Sequence, residues 1–172
     1  MFDPLDGTVS YLYGYPHWSV SVALEDREGS LAGVVYDPNR DELFAAQRGG
    51  GATVDGRAIS VRDAPPLAEA LLATGFGYDS EWRAEQAEVA RRVLPEVRDI
   101  RRAGSAALDL AWLAAGRLDG YYERGLNAWD WAAGSLLVRE AGGAVEELRG
   151  EPFGLMAGPK ALVDALRPLV DG

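Results

Sequence analysis

The stretch Asp3-Pro4-Leu5-Asp6-Gly7-Thr8 constrains this chain more tightly than any other. Two carboxylates stand three residues apart, with a proline between them and a glycine directly after. Proline fixes φ, and Gly7 permits a sharp turn, so both side chains and a backbone carbonyl come to one point. The result is a rigid acidic corner, not a solvated charge run. Such a corner suits a hard divalent cation, because Mg²⁺ takes oxygen ligands and is held by one or two carboxylates together with substrate phosphate. A turn of this kind normally follows a strand that places it, and only Met1 and Phe2 precede it here. The chain is therefore expected to begin in the middle of a fold.

Bulk properties remove several function classes. The balance of 17 Lys+Arg against 27 Asp+Glu gives a net charge of −10, which opposes binding to nucleic-acid phosphates. A small anionic substrate is repelled too, unless cations held by acidic clusters reverse the local field. The absence of cysteine excludes disulfides, thiolate catalysis and zinc–cysteine sites. The single histidine, His17, gives no basis for a zinc site or an acid–base triad, and its position after Pro16 predicts a loop residue near the mouth of the site. No stretch approaches the ~18 consecutive apolar residues of a membrane span, and no signal peptide is visible. A soluble cytoplasmic protein with no membrane or nucleic-acid partner is the expectation. The 172 residues, 48% of them hydrophobic, suffice for one domain spanning 1–172.

Trp18 to Leu24 alternates like a half-buried strand, Glu28-Gly29-Ser30 turns it back into Leu31–Tyr36, and Asp37-Pro38-Asn39-Arg40 precedes Glu42–Ala46. Asp55-Gly56 joins Ala52–Val54 to Arg57–Val61 as a hairpin, so residues 18–61 read as an antiparallel meander. The second half alternates strands and helices. Strands are predicted at Leu71–Gly75, Arg98–Arg102, Leu118–Glu123 and Ala144–Leu148. Helices are predicted at Ser80–Val93 with Ser80 as N-cap, at Ser105–Gly116, at Asp130–Ala141, and from Pro159 to about Val170. Ala106, Leu110, Leu113 and Ala114 form the buried stripe of the second of these. A layered α/β (α+β) architecture follows.

A second motif, Trp129-Asp130-Trp131-Ala132-Ala133-Gly134, runs on to Glu140-Ala141-Gly142-Gly143. With the acidic corner, with Gly104-Ser105-Ala106-Ala107 and with Tyr121-Tyr122-Glu123, it resembles the inositol monophosphatase family of Mg²⁺-dependent, lithium-sensitive phosphatases. The four motifs stand in the family's order and cover essentially the whole chain. The resemblance implies hydrolysis of a phosphate monoester of inositol, or of a similar polyol or sugar, by metal-activated water. In that scheme Asp3, Asp6, Asp130 and the Leu5 carbonyl hold Mg²⁺, and Thr8 orients the water. Gly7 and Thr8 bind phosphate oxygens, while Asp6, Gly104, Ser105, Ala106, Glu123 and Asp130 meet the substrate. A haloacid-dehalogenase reading fails on spacing, since that motif separates its two carboxylates by one residue and this one by two.

The plain readings of the same residues stay beside these. Asp130 could cap the helix that follows and still reach a metal. Ser105 could be an ordinary N-cap, and the sequence does not separate that from substrate contact. Trp129 and Trp131 read as packing anchors, and Arg48-Gly49-Gly50-Gly51, with no P-loop lysine, as a structural turn. The family pattern also places a metal-binding glutamate and an aspartate upstream of Met1, together with helices and a hairpin covering one face. An N-terminally truncated fold, with its activity in question, is implied. The alternatives are a non-catalytic metal- or polyol-binding scaffold and a site completed by another chain. The uncovered apolar face predicts a homo-oligomer, such as a dimer.

Overall fold

The computed structural model describes residues 1–171. Its first sheet is antiparallel throughout, with strands in chain order: β1 (Phe2–Asp6), β2 (Ser19–Asp26), β3 (Gly29–Asp37), β4 (Glu42–Gln47), β5 (Gly51–Val54) and β6 (Arg57–Ala58). A short helix, α1 (Thr8–Leu12), interrupts it after β1. The predicted meander is present, closed by the Asp55-Gly56 turn with both residues at positive φ, 49° and 74°. One strand of this sheet has no counterpart in the sequence reading: the acidic corner itself is the end of β1, an edge strand whose register on β2 shifts between Asp3 and Asp6. That irregularity lets both carboxylates leave the sheet on the same side.

The second sheet has the order β10-β11-β9-β7-β8. Its strands are β7 (Leu71–Thr74), β8 (Asp99–Arg101), β9 (Gly120–Arg124), β10 (Ala144–Glu147) and β11 (Gly154–Gly158). β7 runs parallel to β8 and β9, while β11 is antiparallel to β9 and β10. Between the sheets lie α3 (Ala106–Ala114) and α4 (Ala128–Glu140); outside the second lie α2 (Ser80–Val93) and α5 (Lys160–Val170). The layers therefore run sheet, helix pair, sheet, helix pair, the predicted layered α/β class.

Because α3 sits between two sheets it is buried on all sides, not along one stripe, and even Asp109 is enclosed. α4 crosses it closely at Gly134, where an added Cβ would lie 2.6 Å from Leu110 Cβ. The other side of α4 rests on β3, where a Cβ on Gly33 would meet Ala133 Cα at 3.0 Å. The small residues after Asp130 are thus a packing requirement of the central layer.

β2 carries a reversal. Ser19 and Ser21 point inward and are buried, while Val22 and Leu24 face out. The inward serines admit the starts of α3 and α4: Ser19 Oγ lies 3.0 Å from Ser105 Oγ, and Ser21 Oγ donates to the Trp129 carbonyl at 3.5 Å. The outer face of the sheet consequently presents Phe2 opposite Val22, both exposed.

Several boundaries differ from expectation. Asp79, not Ser80, caps α2, because its carboxylate accepts from the Glu81 and Trp82 amides. α4 begins at Ala128 with Asn127 as its N-cap, so Asp130 stands inside the first turn and not at the cap. Pro159 occupies the cap position ahead of α5 and not its first turn. His17 is buried, 3.0 Å from Asp109 through Nε2 and edge-on to Trp112, where it ties the loop after α1 to α3. The Arg48–Gly51 segment is a turn, its Gly49 and Gly51 amides donating to the Glu140 carboxylate.

Candidate active site

Two elements deliver three carboxylates to one place. β1 supplies Asp3 and Asp6, and the first turn of α4 supplies Asp130. One oxygen from each lies within 4.8 Å of the others. Each carboxylate has already committed one oxygen to the protein. Asp3 Oδ1 accepts from the Leu5 amide at 2.9 Å. Asp6 Oδ2 accepts from Ser105 Oγ at 2.6 Å and the Ala107 amide at 2.9 Å. Asp130 Oδ2 accepts from the Asn127 amide at 2.7 Å. The remaining oxygens, Oδ2 of Asp3 and Oδ1 of Asp6 and Asp130, are held in place by these bonds.

Electrostatics at the cluster are unbalanced. None of the three carboxylates forms an ion pair among the described residues. Burial, helped by the charges of Asp130 and Asp3, raises Asp6 from 3.8 to about 7 against the bonds from Ser105 and Ala107. Asp130 is raised by burial and by Asp3 as well. Convergent hard oxygens with unrelieved mutual repulsion match the donor set that a divalent cation such as Mg²⁺ takes. The residues present therefore fit that ion.

Around the cluster runs a cleft of about 550 Å³, lined by Leu5, Gly7, Thr8, Gly104, Ala106 and Glu123 as well as by the three aspartates. Gly7 makes the turn at φ 85°, where a side chain would press on the carbonyls of His17 and Gly104. Thr8 Oγ1 donates to the Leu5 carbonyl at 2.9 Å and fixes that oxygen's direction. Ser105 does not line the cleft: fully buried behind Asp6, it caps α3 and holds the Asp6 carboxylate. Trp131 packs on Phe153 at 5.3 Å between ring centroids, whereas Trp129 is exposed on the cleft wall.

Glu123 ends β9 and is pinned from below by Tyr121, whose hydroxyl donates to Oε2 at 2.7 Å. Burial raises Glu123 from 4.5 to about 8, opposed by the Tyr121 bond. Its carboxylate occupies the space above Gly75, where any Cβ would overlap it. Gly75 and Arg102, which also line the cleft, carry no sequence signal for the site, and Tyr121 stands out in the sequence only within the Tyr121-Tyr122-Glu123 motif. Gly75 carries no local signal, since its φ is ordinary and only the cross-strand neighbour demands the missing side chain.

A profile described as the inositol monophosphatase family matches residues 1–168. The chain belongs to the inositol monophosphatase family. An inositol-1-monophosphatase of Rhizobium meliloti is 45% identical over 98% of this chain and 65% of its own length. The protein named Nus factor SuhB in Escherichia coli K12 is 46% identical over 87% of this chain and 57% of its own. The chain thus spans under two thirds of the length of these curated relatives. Among solved structures, the extragenic suppressor protein suhB of Bartonella henselae superposes with a TM-score of 0.92 at 42% identity, over 98% of this chain and 67% of that one. Inositol monophosphatase from Anabaena gives 0.91 at 40% identity, over 98% and 69%. The predicted family and fold are therefore established.

Proposed function

We propose that this member of the inositol monophosphatase family hydrolyses a phosphate monoester of inositol, or of a similar polyol or sugar, with Mg²⁺. The observation that carries this reading is the trio Asp3, Asp6 and Asp130, each with one oxygen fixed by the protein and one left for a cation. With the Leu5 carbonyl they would hold the ion. Bound there, Mg²⁺ would lower the pKa of a water and offset charge on the phosphoryl and leaving oxygens.

The chain's own groups do the positioning. Gly7 and Thr8, at the turn into α1, offer backbone N–H groups to phosphate oxygens. Thr8, bonded to the Leu5 carbonyl, keeps the turn closed. Glu123, steadied by Tyr121, faces the same space as Gly104 and Ala106, and together they would take hydroxyls of the leaving group. Holding substrate and attacking water in one geometry accounts for much of such a rate, and no covalent intermediate is needed.

The test is phosphate release by this chain from a panel of inositol, sugar and nucleotide monophosphates, with and without Mg²⁺, using Asp130→Asn as control. Magnesium-dependent turnover abolished in the variant is the expected result. A second reading, a scaffold that keeps the site without turnover, is favoured by the relatives named Nus factor SuhB. Metal and inositol phosphate binding with no release from any ester would select it. Exposed Phe2, Val22 and Leu24 also support a homo-oligomer, with this sheet face as the contact.

A further inference from the structure

The chain carries a net charge of −10, yet one recess is lined by more cations than anions. It shares no lining residue with the acidic cleft. It encloses about 170 Å³, where one water needs about 10–15 Å³, so a small hydrated anion has room in it. Arg40, from the turn between β3 and β4, and Arg101, the last residue of β8, stand in its wall. The acid among its lining residues, Asp109, is buried and engaged by His17 at 3.0 Å.

Both arginines are fixed through one nitrogen, and both leave the same edge of the guanidinium open. Arg40 Nη1 donates to the Asp37 carboxylate at 2.9 Å and to the Pro16 carbonyl at 3.2 Å, and its guanidinium lies 4.6 Å over the Trp112 ring. Arg101 Nη1 donates to the Asp99 carboxylate at 2.5 Å and to the Ile100 carbonyl at 3.2 Å. Neither Asp37 nor Asp99 lines the recess. In each arginine Nε and Nη2 have no hydrogen-bond acceptor among the described residues. That edge presents parallel N–H groups, the geometry that takes an oxyanion through two bonds at once. Two guanidiniums brought from separate elements to one space repel each other, and an anion between them relieves the repulsion. The walls are braced as well. His17 stands edge-on to Trp112 at 5.0 Å between ring centroids, and Ser10 Oγ of α1 donates to the Ala103 carbonyl at 3.3 Å.

We propose that this recess binds a small oxyanion between Arg40 and Arg101, at a site separate from the acidic cleft. Helix α1 links the two: it begins at Thr8 in the cleft wall and is tied through Ser10 to Ala103 in the recess wall. An anion held in the recess would therefore brace the turn that carries Gly7 and Thr8. The binding itself does not depend on the phosphatase reading, and its test avoids that site. Asp3, Asp6, Asp79, Asp130 and Glu123 line the acidic cleft against Arg102 and Arg124, so without a divalent cation the cleft repels phosphate.

The experiment is calorimetric titration of inorganic phosphate in chelator, against a background of chloride at matched ionic strength. Wild type, Arg40→Gln, Arg101→Gln and Asp130→Asn are compared. One phosphate per chain is expected in wild type and Asp130→Asn, weakened about tenfold or more by either arginine substitution. Phosphate should also raise the Tm of the first two proteins by more than that of the arginine variants. Arg40→Gln unpairs the buried Asp37, whereas Arg101 is half exposed and bonded only within β8, so Arg101→Gln keeps the test decisive if the other variant fails to fold. No saturable binding by wild type, equal affinity in Arg101→Gln, or binding lost in Asp130→Asn overturns the site.

Discussion

Alanine at Gly75 is expected to evict Glu123 from its resting place. The backbone there accepts alanine, since φ is not positive, so the whole effect comes from the clash of the new Cβ with the Glu123 carboxylate. That carboxylate is not free to swing: Tyr121 holds Oε2 at 2.7 Å, and the Tyr121 ring is fully buried. Moving it breaks a hydrogen bond to a charged or polarised group, worth about 1.5–3 kcal/mol, and adds overpacking strain of about 1–3 kcal/mol. Part of this is recovered where the carboxyl relaxes into the cleft, so a loss of about 2–3 kcal/mol is expected. A double-mutant cycle isolates it. With Glu123→Ala in place the clash is gone, and Gly75→Ala should be neutral or stabilising by about 0.4–1 kcal/mol through the unfolded chain. Urea unfolding followed by tryptophan fluorescence on the four proteins gives the coupling. An equal loss in both backgrounds would mean that Gly75 is needed for some other reason and that Glu123 does not occupy this space.

Three further outcomes follow from the same geometry. Glu123 holds its proton to about 8 in the folded chain against an ordinary 4.5. Its contribution to stability is therefore complete below 4.5 and is lost as pH rises towards 8, because only the unfolded chain releases the proton in that window. Glu123→Gln should flatten this part of the curve, seen in chelator as a smaller fall in Tm between about pH 5 and about pH 8.5. Mg²⁺ at about a hundred times its Kd should stabilise the wild type by about 2.7 kcal/mol and Asp130→Asn by much less; equal thermal shifts would remove Asp130 from the ion. His17→Ala leaves Asp109 buried without its partner and should cost about 3–5 kcal/mol in denaturant unfolding, and a change under 1 kcal/mol would show that the pair is not a brace.

Much of the molecule could be read along the chain because its signals are local. The meander of residues 18–61 announces itself through alternation and through turns such as Asp55-Gly56, whose positive φ values only a few residue types accept. The acidic corner and Trp129-Asp130 were visible as motifs, and the fold brings Asp3, Asp6 and Asp130 together as their shared chemistry requires. Less legible were elements whose reason lies across the fold. β11 is a short run, Gly154–Gly158, that is fully buried only because β9 and β10 flank it. His17 looks like a loop residue until α3 delivers Asp109 beside it.

The sequence by itself determined which groups could do chemistry here: paired carboxylates on a rigid turn, a third at a helix start, no cysteine and one histidine. Composition and local backbone preference suffice for that, since both belong to single residues or their immediate neighbours. Tertiary structure alone decided what each group faces. Ser19 and Ser21 turn inward and Val22 and Leu24 outward, the opposite of what hydrophobicity along β2 suggests, because the starts of α3 and α4 need small polar partners there. The sequence around Ser105 fits a cap and a substrate contact equally, and packing sets its hydroxyl behind Asp6. Gly75 is a glycine for the sake of Glu123, forty-eight positions away along the chain and in direct contact across the sheet. Such pairings depend on which surfaces meet, a property of the packed layers that no single segment carries.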